Sequence, residues 1–109
     1  AASDVYKRQV LKRTFKCISE EVRRSDTVGR WGGEEFIVIC PETDERQALT
    51  IAEKIIASIS SLKFEQGFQQ TASIGIAQYE QMDSSVTLID RADQNLYKAK
   101  SSGKNQAFL

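Results

Sequence analysis

Residues 30–40 read Arg30-Trp31-Gly32-Gly33-Glu34-Glu35-Phe36-Ile37-Val38-Ile39-Cys40, and the fold turns on this stretch. A strand end runs into two glycines, two carboxylates follow, and an apolar run closes it. Gly-Gly between strand-like runs predicts a tight primed hairpin turn, because both central residues of such a turn need φ > 0. Phe36 to Cys40 is apolar throughout, which predicts a central strand covered on both faces. Two acids at a turn tip repel each other and gain nothing from burial. They fit a solvated tip, or hard oxygen ligands for a divalent cation beside backbone that a phosphate can approach.

Working outward, Leu11, Phe15, Ile18 and Val22 recur at helical spacing and predict an amphipathic helix from Val10, with Arg23 and Arg24 in its last turn. Asp26 to Trp31 is a short strand leading into the glycines. After Pro41, Thr43 or Asp44 suits a helix cap. Ala48, Ile51, Ala52, Ile55, Ile56 and Ile59 then form the widest apolar stripe of the chain. Leu62 to Phe68 reads as a loop or strand lead-in. Thr71 to Tyr79 predicts a strand with Ala72, Ile74 and Ile76 on one face, and Gly75 inside it marks a bulge or a close backbone approach. Leu88, Ala92, Leu96 and Ala99 place a last helix, which Gly103 ends. Gln106 to Leu109 reads as a final edge strand. The predicted order is αββαβαβ, an α/β (α+β) fold with helices packed on a mixed sheet.

The 109 residues suffice for one domain with one core. Fifteen basic residues balance fifteen acidic ones, so no bias toward nucleic acid follows. No apolar run reaches membrane-spanning length and no signal peptide is visible, which makes a cytoplasmic domain the expectation. Cys17 and Cys40 lie in apolar settings and read as reduced, buried thiols. Histidine is absent. Within this chain, Ser-His-Asp and Cys-His catalysis and His-based zinc sites are excluded. Chemistry falls to carboxylates, lysines, backbone groups or a metal.

Five ordered stretches resemble the GGDEF family, the diguanylate cyclases. Gly32-Gly33-Glu34-Glu35-Phe36 is similar to its signature in the GGEEF form. Arg23-Arg24-Ser25-Asp26 resembles the Arg-x-x-Asp pattern upstream. Thr71-Ala72-Ser73-Ile74-Gly75-Ile76-Ala77 resembles the T-x-S-I-G-I-A strand. Arg91 to Lys100 resembles the helix written A-D-x-A-L-Y-x-A-K, and Gly103-Lys104-Asn105 is close to G-R-N. The resemblance implies a palm-like, nucleotidyl-cyclase-like fold that condenses two GTP into cyclic di-GMP and two pyrophosphates. It implies Glu34 as metal ligand and proton acceptor, and Glu35 as a secondary ligand of Mg²⁺ (or Mn²⁺). Gly32 and Gly33 would let nucleotide approach the backbone, while Lys100 and Lys104 would meet its phosphates. Lys104 stands where the family usually has arginine, which keeps the charge and loses the bidentate fork. Arg23 and Asp26 would bind the product as feedback inhibitor. One GTP per domain implies a homodimer during turnover.

Each motif has a plainer counterpart. Arg23 and Asp26 could pair only locally, Ile74, Ile76, Leu96 and Ala99 serve the core, and Lys100 and Lys104 could complement a helix end. The family domain also begins earlier, with a D-x-D-x-F-K-x-x-N-D strand and a G-H-x-x-G-D-x-x-L turn that this sequence lacks. Residues 1–9, AASDVYKRQ, stand where the second should be and read as a leader foreign to the domain, with residues 10–109 as a partial domain. On that reading the chain alone is expected to be unstable through an open sheet edge and inactive, and membrane attachment would come only through a preceding part. The alternative function is a catalytically silent domain of the same type that binds GTP or cyclic di-GMP and regulates its neighbour. A related nucleotidyl cyclase or polymerase is a third reading.

Overall fold

Among the described residues seven elements follow one another in the predicted order: α1 (Ala2–Glu21), β1 (Thr27–Gly32), β2 (Glu35–Ile39), α2 (Glu45–Ser60), β3 (Ile74–Gly75), α3 (Ser85–Ser101) and β4 (Ala107–Phe108). This computed structural model describes residues 2–65 and 67–109. Two compact units divide the chain, residues 1–41 and 42–109. The strands form two ladders, β1 antiparallel to β2 and β3 parallel to β4.

In the first unit, α1 starts well before the predicted Val10. Once a helix is nucleated, each further residue adds a hydrogen bond at little cost, so a stretch without apolar period can still extend it. Asp4 in the first turn suits the positive end of the dipole. The buried positions are Thr14, Cys17 and Ile18, so the core line is rotated slightly from the predicted stripe. Thr14 is accommodated because its hydroxyl donates to the Val10 carbonyl at 2.8 Å. Phe15 stays partly exposed and tilts against Phe36, ring centres 6.0 Å apart. The helix ends at Glu21, so Arg23 and Arg24 lie beyond its last turn.

The apolar run of β2 is not covered on both faces. Phe36, Ile37 and Val38 are half-buried and Ile39 is 56% exposed. Among the described residues β2 pairs only with β1.

In the second unit, the helix caps are reciprocal. Asp44 accepts from the Gln47 N–H at 2.8 Å while the Gln47 side chain accepts from the Asp44 N–H at 3.0 Å. Ser84 and Thr87 repeat the arrangement at α3. Such boxes satisfy two otherwise orphaned donors. Ala52, Ile55 and Ile59 from the predicted stripe of α2 are buried, with Ile76 and the wholly buried Ala99 of α3. The predicted strand over 71–79 is a ladder only at Ile74–Gly75, because β4 offers just Ala107 and Phe108 as partners. Gly75 makes the predicted close approach. A Cβ there would stand 2.8 Å from Leu96 Cα and would also collide with the Leu96 nitrogen and the Ala92 carbonyl oxygen. Beside this contact, the buried Asn95 donates from Nδ2 to the Ile76 carbonyl at 2.7 Å.

The connection before α3 carries a clamp. Arg91 donates to both carboxylate oxygens of Asp83, at 3.1 and 2.8 Å, and to the Gln78 carbonyl at 2.6 Å. The Glu80 N–H and the Thr87 hydroxyl also donate to Asp83, each at 2.8 Å. These bonds, the guanidinium's first, hold the Asp83 carboxyl well below its ordinary value of 3.8. A depressed carboxylate stabilises the fold fully above that ordinary value, and the stabilisation is lost as the pH falls from there through the folded value. Asp83→Asn is therefore expected to lower the urea midpoint at neutral pH and to flatten the pH dependence below 3.8. Equal midpoints for variant and wild type at neutral pH would refute the clamp.

Candidate functional site

The hairpin forms in an order that the residues dictate. Thr27 to Arg30 pair regularly with Ile39 to Phe36, and the register then shifts so that Gly32 faces Glu35. Trp31 is the extra residue, a bulge next to the turn. The turn centre is thereby Gly33-Glu34, one residue later than the predicted Gly32-Gly33. Gly33 takes the left-handed φ of 52°, which an L-residue would resist. Positive φ at the first central position only is the pattern of a II′ turn rather than I′. The Arg30 guanidinium closes the loop, donating to the Gly33 carbonyl from Nε at 3.0 Å and from Nη2 at 2.7 Å.

Glu34 is thus held at an exposed tip by a fixed backbone, while Glu35 is the first residue of β2. Glu34 and Gly33 line an open cleft of about 320 Å³ with Asp4, Lys7, Arg8, Leu11 and Arg30, and Glu35 is not part of that lining. The two acids are unequal, as the alternation of a strand requires. Three cations against the two carboxylates Asp4 and Glu34 leave a net positive lining, which suits an anionic ligand that brings a counter-ion of its own. Lys7, Arg8 and Arg30 were not among the predicted site residues. Arg30 could have been found from its place two residues before the first glycine. Lys7 and Arg8 lie in the stretch taken as foreign.

Among the described residues no group of three or more His, Cys, Asp or Glu side chains stands together as a metal cage. Mg²⁺ does not demand one: it retains water and takes one or two carboxylates plus substrate phosphate. Glu34, exposed at the tip, fits that limited role.

Arg23 and Asp26 are brought together by a tight turn in which the Asp26 N–H donates to the Arg23 carbonyl at 3.0 Å. The Asp26 carboxylate accepts from the Arg23 N–H at 2.8 Å, from Nε at 3.1 Å and from Nη2 at 3.0 Å. Its side chain is wholly buried while that of Arg23 stays 45% exposed. These bonds, the guanidinium's first, push the Asp26 carboxyl below its ordinary range. Arg23 also reaches the Pro41 carbonyl at 3.4 Å. Cys40 lies against this pair. Burial, then the Asp26 charge, raises its thiol pKa; neither cysteine is in a disulfide, and of the two predicted buried thiols Cys17 is buried and Cys40 half-buried.

Lys100 and Lys104 belong to the second unit. Lys100 is in the last turn of α3, while Lys104 lies past Ser102, the C-cap, with a left-handed φ of 63°. Both are exposed.

Among the described residues, no helix is long and apolar enough to cross a membrane. The family model described as "Diguanylate cyclase, GGDEF domain" matches residues 8–106. "Diguanylate cyclase A" of Treponema denticola is 35% identical over 113 residues, covering all of this chain and 29% of the relative. "Diguanylate cyclase DgcM" of Escherichia coli is 37% identical over 100 residues, covering 92% and 24%. In three dimensions the chain is similar to the diguanylate cyclase SiaD of Pseudomonas aeruginosa, solved with its activator SiaC. The TM-score is 0.86 at 31% identity, covering 91% of this chain and 39% of that one. The chain spans about a quarter of the length of these curated relatives.

Proposed function

The chain belongs to the GGDEF family of diguanylate cyclase domains, and we propose from that membership that its full-length protein condenses two GTP molecules into cyclic di-GMP. The observation that carries the proposal is the Gly33-Glu34 turn. It places one carboxylate at an exposed tip, with its backbone fixed by Arg30 and cations beside it.

The chemistry needs a 3′-hydroxyl of one GTP to attack the α-phosphate of the other. The hydroxyl proton goes to a base, the P–O bond to pyrophosphate breaks, and the second attack closes the ring. Glu34 is the proton acceptor within this chain, and Glu34 with Glu35 would hold Mg²⁺ or Mn²⁺. Such an ion, when bound, supplies charge neutralisation at the phosphates as a Lewis acid. Gly32 and Gly33 have no side chain between backbone and nucleotide. Lys100 and Lys104 provide positive charge for the phosphates. Each domain holds one GTP, so two copies must face each other in turnover. Product analysis of the full-length protein with labelled GTP and ATP tests the reading. Cyclic di-GMP from GTP alone is expected, and a product from ATP would favour another nucleotidyl cyclase.

Product control is the second part of the proposal. Arg23 is positioned by Asp26 while its side chain stays 45% exposed. Cyclic di-GMP, with two phosphates and two guanine faces, suits such a group. Arg23→Ala is expected to weaken cyclic di-GMP binding to the full-length protein by about tenfold or more, the loss of a charge-assisted contact. Equal affinities by calorimetry would count against it.

A further inference from the structure

Three successive residues past α3 lie in left-handed backbone: Gly103 at φ 116°, Lys104 at 63° and Asn105 at 52°. Glycine adopts this region freely and asparagine tolerates it, but lysine has no local compensation there. A loop serving only to end the helix would be satisfied by Gly103 alone. Strain of this kind persists only where neighbours over-determine the backbone, and such places concentrate at functional sites.

The neighbours are identifiable. The Lys104 N–H donates back to the Ala99 carbonyl at 3.0 Å. The Asn105 N–H donates to the Ser73 hydroxyl at 3.2 Å, and the Ser60 hydroxyl donates to Asn105 Oδ1 at 3.4 Å. Gln106 Nε2 bridges the Ser102 and Lys104 carbonyls at 2.9 and 3.0 Å. Asn105 is thus tied to the end of α2 and to the approach to β3, directly after Lys104. The one side chain in this segment left exposed and without a tether in that set of bonds is the cationic one.

We propose that Asn105 is a positioning residue for Lys104, holding the left-handed backbone that presents the lysine ammonium to a nucleotide phosphate. This rests on the reading of Lys104 as a phosphate contact. Asn105 touches no substrate itself, so its effect on binding must pass through Lys104.

The test is a double-mutant cycle in the full-length protein, read as the affinity for a non-hydrolysable GTP analogue. Lys104→Ala and Asn105→Ala are each expected to weaken binding by about tenfold, and the double variant no further than Lys104→Ala alone. Asn105→Gly, which keeps the left-handed region open, is expected to stay within about threefold of wild type. If Lys104→Ala weakens binding but Asn105→Ala does not, or the two losses add, the positioning role is overturned while the lysine contact stands. A loss for Asn105→Gly equal to that for Asn105→Ala also overturns it. Unchanged binding in Lys104→Ala removes the contact and the proposal with it. Should Asn105→Ala fail to fold, Ser73→Ala takes its place in the cycle, with a loss expected only when Lys104 is present.

Discussion

Glu34→Gln in the full-length protein is expected to abolish cyclic di-GMP synthesis, with a fall in turnover of about a thousandfold. Glutamine matches glutamate in size and is accepted at an exposed turn position, so the change removes charge and basicity and leaves the hairpin alone. The Gly33 carbonyl remains held by Arg30, and Gly33 still supplies the left-handed residue the turn needs. Stability should therefore change by no more than about 0.5 kcal/mol, as for other surface substitutions. Measuring product formation together with the thermal midpoint separates a chemical loss from a folding loss. The same variant distinguishes the silent-domain alternative. A receptor that only binds nucleotide would keep its signalling after Glu34→Gln, whereas an enzyme's output would vanish. Turnover within tenfold of wild type would remove Glu34 from the proposed mechanism.

Gly75→Ala is expected to destabilise the protein by about 3 kcal/mol, the upper end of what forced overpacking costs. What a methyl at this position meets is helix backbone, the Ala92 carbonyl and the Leu96 nitrogen and Cα, not a side chain that could turn away. Either α3 moves off β3 or β3 leaves its ladder, and both displace the buried Asn95–Ile76 hydrogen bond. With net stabilities of only about 5–15 kcal/mol for a native domain, such a loss should shift the urea midpoint plainly. A change below about 1 kcal/mol would mean that the helix–strand contact is softer than its geometry indicates.

The parts legible in the sequence are those decided locally. The cap of α2 was readable as Thr43 or Asp44, and Asp44 takes it because it and Gln47 satisfy each other within one turn; the Ser84 cap of α3 was not read. The stripe of α2 followed from its period, and Gly75 announced its close approach by interrupting β-branched residues. The grouping of Gly32, Gly33, Glu34 and Glu35 at one tip was readable too, since they are neighbours in the chain. The turn was misplaced by one residue because the Trp31 bulge absorbs a position, and a bulge has no sequence period. Arg23 and Arg24 were assigned to a helix end because Asp26 draws Arg23 into a turn through three hydrogen bonds, a competition invisible to periodicity. The extent of β3 depends on how much partner β4 offers, and the Arg91–Asp83 clamp joins residues on different elements. Neither is a property of a window of sequence.

The pairing of β3 with β4 bears on how the chain acquires its structure during synthesis. The β1–β2 hairpin joins neighbours and closes on a microsecond scale. Ile74 and Gly75, by contrast, have Ala107 and Phe108 as their ladder partners among the described residues, and these follow the whole of α3. Until Phe108 clears the ribosome exit, the Ile74 N–H and Ile76 N–H lack the Gln106 and Phe108 carbonyls that receive them at 3.0 and 2.8 Å. Residues 74–76 must therefore wait, as extended apolar backbone, for the last residues of this stretch to be translated. A nascent chain arrested before Gln106 should expose that segment to proteases or chaperones, while one arrested beyond Leu109 should hide it.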